Sequence, residues 1–431
     1  MKKDKKYLYL WISQFISQLG SQITSFSMLI WVYNETHSEM SMSLLAFFSY
    51  LPYILIGIFV GSVIDRFKKK NIILICDMIA AICSLVVLIL ISNNLLKVYH
   101  LYILNSLMSF MNAFQSPASS VFIGMIVPKE KYSKISGMNS LSSSVIAILH
   151  PIIATIVLSF FGIKVVLIID LISFFIGETI ILCFIKNNEK IKKSKKIKIS
   201  EIIQETVDGK DFLFKNKGLL YIIVSFTIMN FLSNLTYENI LPAMILSKTN
   251  NDNSILGIVS GSIGIAGVIG GLIVTCFKAP RNKIKVIFLG SAFSFLFGDI
   301  IMGIGQDVVM WIIGASLASF PIAFIMAAQM EILYSKISTD MQGRVFAVRN
   351  SIQYCTIPVG LLLGGFLAEY IFEPLMIKDN FIVYLLRKIV GNSPGSGMGL
   401  MFVCTGILGS ISSIILYKTR YIKKLEEEYK N

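Results

Sequence analysis

The sequence predicts an all-α membrane protein with twelve transmembrane helices in two pseudo-symmetric six-helix bundles. Three observations lead to this fold class. Hydrophobic residues make up 55% of the chain and charged residues only 15%, and the mean hydropathy is +0.73, which is too apolar for a soluble protein. The apolar residues form runs long enough to cross a bilayer. The basic residues alternate with these runs and do not form one patch.

Each predicted span satisfies a length requirement, because a helix needs about 20 mostly apolar residues to cross ~30 Å of hydrocarbon. An even number of spans places both termini on the same side of the membrane. The twelve runs are 7–33, 42–64, 71–92, 98–127, 133–160, 163–185, 218–246, 254–277, 284–305, 308–334, 343–372 and 397–417.

The distribution of basic residues predicts the orientation of the spans. Lys and Arg concentrate in the N-terminus, the even-numbered loops and the C-terminal tail. The odd-numbered loops carry only Lys97, Lys164, Lys248, Lys378, Arg387 and Lys388. Cytoplasmic loops carry the excess of basic residues, so we expect a multi-pass cell-membrane protein with both termini cytoplasmic. The net charge of +14 then reflects topology, and we expect no nucleic-acid partner.

A lysine-rich stretch divides the spans six and six. It predicts an N-terminal bundle over 1–186, a cytoplasmic basic linker with an amphipathic helix over 187–217, and a C-terminal bundle with a cytoplasmic tail over 218–431. The halves show a faint repeat at an offset of 210 residues, where Gly61-x-x-x-Asp65-Arg66 aligns with Gly271-x-x-x-Thr275-Cys276. Such self-similarity is typical of a duplicated fold.

Motifs of enzymatic chemistry are missing from the sequence. The six cysteines all lie inside apolar runs without metal-ligand spacing, so neither a disulfide nor a metal site is expected. The chain contains no HExxH, no GxSxG and no phosphate-binding loop of the Walker type. We therefore expect no enzyme, no catalytic residues and no cofactor.

The loop between the second and third spans, Gly61-x-x-x-Asp65-Arg66-x-x-Lys69-Lys70, resembles the signature loop of the major facilitator superfamily of secondary transporters. The resemblance implies alternating access about a central cavity. It also implies a conformational latch, in which Asp65 meets the positive end of a helix that starts near Gly343. The latch residues would be Gly61, Asp65, Arg66, Lys69, Gly343 and Arg344.

Further stretches resemble the branch of this superfamily that contains macrolide efflux pumps and the enterobactin exporter. They are Phe114-Gln115-Ser116-Pro117-Ala118, Val127-Pro128-Lys129-Glu130, Asp340-Met341-Gln342-Gly343-Arg344-Val345-Phe346-Ala347 and Pro358-Val359-Gly360. The branch implies an antiporter that exports an amphiphilic, macrolide-like drug against protons and confers antibiotic resistance. Alternatives are export of a siderophore, lysolipid or peptide, and a membrane sensor or scramblase without coupled transport.

Polar side chains recur inside the predicted spans, in the first and seventh at helical steps of three and four. Amides that face lipid are costly, so these residues should face the protein interior. They either line a substrate cavity or hydrogen-bond between helices, and both interpretations stay open. The cavity candidates are Gln14, Gln18, Gln22, Asn105, Asn112, Asn230 and Asn234.

Ionisable residues inside spans are functional candidates by default. Glu238, Glu178 and His150 are the candidates for proton coupling. Glu238 is alternatively a solvated residue near the outer mouth, and His150 a histidine satisfied by a neighbouring helix. The expected role of the remaining acids depends on their depth in the membrane. Asp77 and Glu331 are expected to pair with loop bases near the cytoplasmic side, and Asp170 and Asp299 are expected to be interfacial.

Overall fold

The computed structural model describes residues 2–64, 67–126, 132–184, 199–276, 282–337, 339–378 and 380–430, and in these ranges the chain is helical without strands. The helices are α1 (Lys2–Thr36), α2 (Glu39–Ile64), α3 (Lys69–Ser92), α4 (Val98–Ile126), α5 (Tyr132–Phe161), α6 (Ile163–Phe184), α7 (Ile199–Lys215), α8 (Lys217–Asn234), α9 (Ile240–Lys248), α10 (Asn253–Cys276), α11 (Lys283–Phe293), α12 (Ile300–Ile304), α13 (Val308–Lys336), α14 (Thr339–Tyr354), α15 (Thr356–Leu367), α16 (Glu373–Ile377), α17 (Phe381–Val390), α18 (Ser396–Tyr417) and α19 (Arg420–Lys430).

Ten segments of the described residues are long and apolar enough to cross a membrane. Helices α1 and α4, with 35 and 29 residues, are also long enough but are not among the ten. Their glutamine, asparagine and serine side chains lower the hydropathy. The all-helical, multi-span fold class is confirmed, and the number of twelve spans stays a prediction.

The predicted seventh span is not one helix. The structure ends α8 at Asn234 and begins α9 at Ile240, with a turn over 235–239 between them. Pro242 in the first turn of α9 has no backbone N–H and its ring would clash with the preceding turn, so a helix cannot run through this position without distortion. The prediction of a continuous helix over 218–246 is wrong at this break. Residues 240–246 of α9 are all buried.

The chain divides into two compact units. Unit 1 comprises Met1–His37 and Leu44–Ile197, and unit 2 comprises Ser38–Ser43 and Lys198–Asn431. Unit 1 has an apolar core in which Leu10, Val60 and Ile73 are 1% exposed. Unit 2 has a larger core around Ile222, Ile284 and other residues of α8, α11, α13 and α19. In both units the apolar helix faces that do not meet a neighbour are available to lipid.

The linker helix α7 packs against α14 within unit 2. A methyl group at Gly209 would lie 2.7 Å from the carbonyl oxygen of Arg344, so only glycine allows this approach. Asp208, the preceding residue, forms an ion pair of 3.0 Å with Arg344. The described part of the predicted linker therefore belongs to the packing of unit 2.

Two π-helical segments interrupt long helical runs of unit 2. They are Ser294–Asp299, between α11 and α12, and Ala368–Phe372, between α15 and α16. Such segments are rare and occur frequently at functional sites. The first of them ends at Asp299, and a methyl group at Gly298 would lie 2.5 Å from the Ala318 side chain. At this π-helical segment α13 therefore packs closely against the helical run that carries Asp299.

Candidate functional site: buried ions in the helical units

Asp77 of α3 is the centre of a polar cluster in unit 1. Its carboxylate accepts hydrogen bonds from the amides of Gln14 on α1 (3.4 Å) and Gln115 on α4 (2.5 Å), and the residue is 8% exposed. Both donors are neutral, so the expected pairing of Asp77 with a loop base is wrong. Glu331 does follow that expectation, because Lys283 pairs with it at 2.9 Å.

Glu178 of α6 lies beside this cluster. Its carboxylate is within electrostatic range of Asp77 and of Lys70. Among the described residues, no hydrogen-bond donor reaches its buried oxygen Oε1. A carboxylate oxygen without a donor can take up a proton without breaking an existing hydrogen bond. Glu178 can therefore take up a proton within electrostatic range of one acid and one lysine.

Asp170 of α6 is held by two serine hydroxyls within unit 1. Ser21 of α1 donates to Oδ1 at 3.2 Å, and Ser84 of α3 donates to Oδ2 at 2.6 Å. Asp170 is 5% exposed, so the expectation of an interfacial position is wrong. A methyl group at Gly20 would overlap the Ser173 hydroxyl and lie 3.2 Å from the Asp170 carboxylate. This junction of three helices has no spare space beside Gly20.

Asp299 is held in the same way within unit 2. Tyr237, in the turn after α8, donates its hydroxyl to Oδ1 at 2.7 Å, and Thr405 of α18 donates to Oδ2 at 3.0 Å. Asp299 is 1% exposed, so it is not interfacial as expected. Two hydroxyl donors satisfy part of a buried carboxylate's hydrogen-bonding capacity but do not neutralise its charge.

A cavity of about 270 Å³ opens at Asp299 inside unit 2. Asn230, one of the cavity candidates from the sequence, is among the residues that line it. The lining residues are Phe226, Met229, Asn230, Ser233, Tyr237, Ile263, Ser291, Ser294, Phe295, Asp299, Ala315, Ala318, Ser319, Ile322, Ile325 and Met326. Asn234 does not line this cavity, and its amide donates to the Asn230 carbonyl at 2.7 Å.

Arg349 of α14 is a buried ion that the sequence analysis missed. Its Nε donates to Gln353 at 2.9 Å and its Nη2 to Gln329 at 3.0 Å, and the residue is 4% exposed. Its hydrogen-bond acceptors in the described chain are thus neutral. An arginine inside a predicted span, with glutamines on the same and the preceding span, was the signal available in the sequence.

Lys248 ends α9, outside the membrane-spanning segments. Its ammonium donates to the carbonyl oxygens of Gly305 (3.1 Å) and Val390 (3.2 Å). Burial lowers the pKa of Lys248 from 10.5 to about 8, and the nearby Glu373 carboxylate opposes this shift. The lysine joins the ends of three helices.

The other predicted candidates are dispersed. Glu238 is exposed in the turn 235–239, and His150 of α5 donates from Nδ1 to the Ile146 carbonyl at 2.9 Å. Asn105 donates to the Ser49 hydroxyl at 3.1 Å. The remaining cavity candidates are exposed on their helices: Gln18, Gln22 and Asn112.

The predicted latch is only partly described. Asp65 and Arg66 lie outside the described residues. Gly61 is in the last turn of α2, and Lys69 is the first residue of α3. The structure begins α14 at Thr339, so Gly343 lies in its second turn and not at its start. Arg344 pairs with Asp208.

Curated relatives cover most of the chain. It is 24% identical over 370 residues to macrolide efflux protein A of Streptococcus pyogenes, covering 85% of this chain and 90% of the relative. It is 26% identical over 326 residues to macrolide efflux protein A of Enterococcus faecalis, covering 75% of this chain and 98% of the relative.

Solved structures share the fold at low sequence identity. The nucleoside transporter NupG superposes with a TM-score of 0.71 at 13% identity, covering 96% of this chain and 100% of that chain. A bacterial homologue of the iron transporter ferroportin, in an inward-facing state, superposes with a TM-score of 0.68 at 12% identity, covering 96% of this chain and 99% of that chain. The family model of the Major Facilitator Superfamily matches residues 10–361, and the chain therefore belongs to this superfamily of membrane transporters.

Proposed function

We propose that this chain exports an amphiphilic, macrolide-like small molecule across the cell membrane by proton-coupled alternating access, with both termini cytoplasmic. Two relatives named macrolide efflux protein A, each aligned over at least 75% of this chain, support the substrate class. The excess of basic residues in one set of loops supports the orientation. The partners are the bilayer, protons and the exported compound.

The single observation that carries the proton coupling is Glu178 beside Asp77. Two acids within electrostatic range in a membrane bundle disfavour a state in which both are charged. Uptake of a proton by Glu178 relieves this repulsion, and its release restores the attraction to Lys70. Such a change in charge can bias two conformations of a transporter. Glu238, which is exposed, and His150, whose Nδ1 is already paired, are weaker candidates.

The signature loop supplies the conformational latch in this proposal. Asp65 and Arg66, with Gly61 and Lys69 beside them, would engage the helix that carries Gly343 and Arg344 in one state of the transport cycle. Arg344 has the carboxylate of Asp208 as a partner at 3.0 Å. A latch through Arg344 would therefore extend to, or compete with, the linker helix α7.

The export of radiolabelled erythromycin tests this function. Cells that express the wild type should retain less drug than cells without the protein, and a protonophore should abolish the difference. Glu178→Gln should retain drug like cells without the protein, because the amide cannot carry a proton. Glu331→Gln is the matched control, since it removes an acid that pairs with Lys283 in unit 2, and it should export normally.

Three results would contradict the proposal. Equal retention with and without the wild type would exclude the macrolide substrate, and siderophores, lysolipids and peptides would be screened next. Export that continues in Glu178→Gln with full sensitivity to the protonophore would exclude Glu178 as the proton carrier. A lack of uphill movement of any compound in sealed vesicles would favour a sensor or scramblase.

A further inference from the structure

The cavity of unit 2 has a buried acid at one end and an opening at the other. Asp299, at 1% exposed, lies among lining residues that are mostly buried. Ile322 and Met326 of α13 line the same cavity and are 49% and 40% exposed, so they form its mouth. A ligand that enters between them reaches the carboxylate through an apolar space.

Three of the four serines that line the cavity donate their hydroxyl hydrogen bonds to backbone carbonyls, and the fourth is Ser233. Ser291 donates to the Ile287 carbonyl at 2.7 Å and Ser294 to the Ala318 carbonyl at 2.6 Å. Ser319 donates to the Ile263 carbonyl at 2.8 Å. A hydroxyl has only one proton, so each of these groups retains only acceptor capacity for a ligand.

The amide of Asn230 and the phenol of Tyr237 also donate to groups of the protein. Asn230 uses one N–H of its Nδ2 to donate to the Gln353 carbonyl at 3.3 Å, which leaves its second N–H as a donor and its amide oxygen as an acceptor. The hydroxyl of Tyr237 donates its hydrogen bond to Asp299. The lining residues include no lysine, arginine or histidine. The cavity therefore offers one carboxylate and several hydrogen-bond acceptors, with donors left only on Ser233 and Asn230, and its complement is a cation that donates a hydrogen bond to the carboxylate.

The remaining wall is apolar, with side chains such as Phe226, Phe295 and Ile325. At about 270 Å³ the cavity is at the lower limit of drug-sized pockets, which start at about 300 Å³. It can enclose a small hydrophobic amine, or the amine-bearing end of a larger compound, but not a whole macrolide.

We propose that this cavity binds a hydrophobic amine in its protonated form, with the ammonium N–H donating to the carboxylate of Asp299. The inference rests on the proposed function in one respect, because it assigns the cavity to the amine-bearing end of the exported amphiphile. The aromatic and aliphatic wall takes the apolar part next to the nitrogen. A cation over aromatic faces gains further stabilisation.

Calorimetric titration of the purified full chain in lipid nanodiscs tests the binding directly. The probe is N,N-dimethyl-2-phenylethylamine at neutral pH, and the neutral comparison is 4-phenyl-2-butanol, which has nearly the same shape. We expect saturable binding of the amine and little or none of the alcohol. Equal binding of both compounds, or no saturable binding of the amine, would overturn the proposal.

Variants separate the charge from the shape of the site. Asp299→Asn should weaken amine binding about 10- to 100-fold, the factor expected for one lost charge-assisted hydrogen bond. Asp307→Asn is the matched control, because Asp307 is exposed and caps α13 through its side-chain oxygen, a role that asparagine can keep. It should bind the amine like the wild type. Unchanged binding in Asp299→Asn would overturn the assignment.

A third variant tests the site even if Asp299→Asn fails to fold. Met326→Trp enlarges an exposed side chain at the mouth and leaves the carboxylate untouched, so the protein should fold and lose amine binding. If Met326→Trp binds the amine as the wild type does, the ligand does not enter this cavity and the proposal fails.

Competition with erythromycin distinguishes this inference from the proposed function. Displacement of the bound amine by erythromycin would connect the cavity to export. Binding that depends on Asp299 but resists erythromycin would leave the amine site standing and overturn its assignment to the export path. If cells that express the protein export erythromycin but the purified protein does not bind the amine, the proposed function stands and the amine site is overturned.

Discussion

Asp170 in unit 1 and Asp299 in unit 2 are held in the same way at corresponding places. Each carboxylate oxygen accepts one hydrogen bond from a hydroxyl group. Asp170 joins the first, third and sixth predicted spans, and Asp299 joins the seventh, ninth and twelfth, which are the first, third and sixth of their half. The acid itself is on the sixth span in unit 1 and on the third span of unit 2.

The two junctions differ in the space beside the acid. Side chains fill the space around Asp170, where even a methyl group at Gly20 would overlap Ser173. Asp299 ends a π-helical segment and opens on the cavity. In both units two hydroxyls hold the buried acid, so the hydrogen bonds do not distinguish the junctions. The free volume next to the carboxylate decides whether the junction only joins helices or can also bind a ligand.

The largest effect should come from filling the tight junction. Gly20→Val should destabilise the protein by about 3 kcal/mol, because a branched side chain would meet Ser173 and Asp170 in a closely packed site. Gly271→Val is the matched control: a Cβ there meets nothing within 4 Å, and the change should be below about 1 kcal/mol. Chemical unfolding in detergent measures both. Equal effects would show that Asp170 has room beside it.

Lys248, a half-buried cation of unit 2, gives the second test, because neutral carbonyls accept its hydrogen bonds as neutral hydroxyls donate to the acids. Its folded pKa of about 8 is below the ordinary 10.5, so between these values the unfolded chain binds more protons. The free energy of unfolding should therefore rise by about 2 kcal/mol from pH 8 to pH 10, and below pH 8 it should level off, because Lys248 is then protonated in both states.

Unfolding measured across this pH range, with two variants, checks the assignment to Lys248. Lys248→Met should lose the rise with pH, because methionine does not titrate. Lys388→Met, which removes an exposed lysine of the same unit, should keep it. A rise that persists in Lys248→Met would mean that another group titrates.

The smallest effect is expected for Asp170→Asn. Asparagine keeps the shape and one acceptor oxygen, so the loss of stability should be only about 1 kcal/mol. Binding of N,N-dimethyl-2-phenylethylamine should stay at the wild-type level, in contrast to Asp299→Asn. Reduced amine binding in Asp170→Asn would show that the acid of unit 1 also takes part in the site, and the contrast between the junctions would be wrong.

Local patterns in the sequence were sufficient for the fold and for part of the candidate sites. Apolar runs give the helices, and the spacing of amides on the first span placed Gln14 toward a neighbouring helix, where it meets Asp77. Glu178 was recognised because an acid within an apolar run is costly. Whether these residues take part in transport stays a prediction.

The buried ions could not be placed from the sequence, because their partners are remote in the chain. Ser21 lies 149 residues from Asp170, and Thr405 lies 106 residues from Asp299. Distance from a loop predicted an interfacial position for both acids, whereas tertiary hydrogen bonds allow them to be buried. For Arg349 only one partner depends on tertiary packing: Gln353 is four residues away on the same helix, whereas Gln329 reaches the arginine once α13 and α14 pack together.

The break in the seventh span has a consequence for biogenesis. Helix α9 has 9 residues, about 14 Å at 1.5 Å per residue, which is too short to cross the hydrocarbon core as an independent insertion unit. Residues 240–246 are all buried, so they have almost no surface available to lipid. Because α9 packs against α10 and α18, we expect the seventh span to reach its final position in the membrane only after the last span has been inserted.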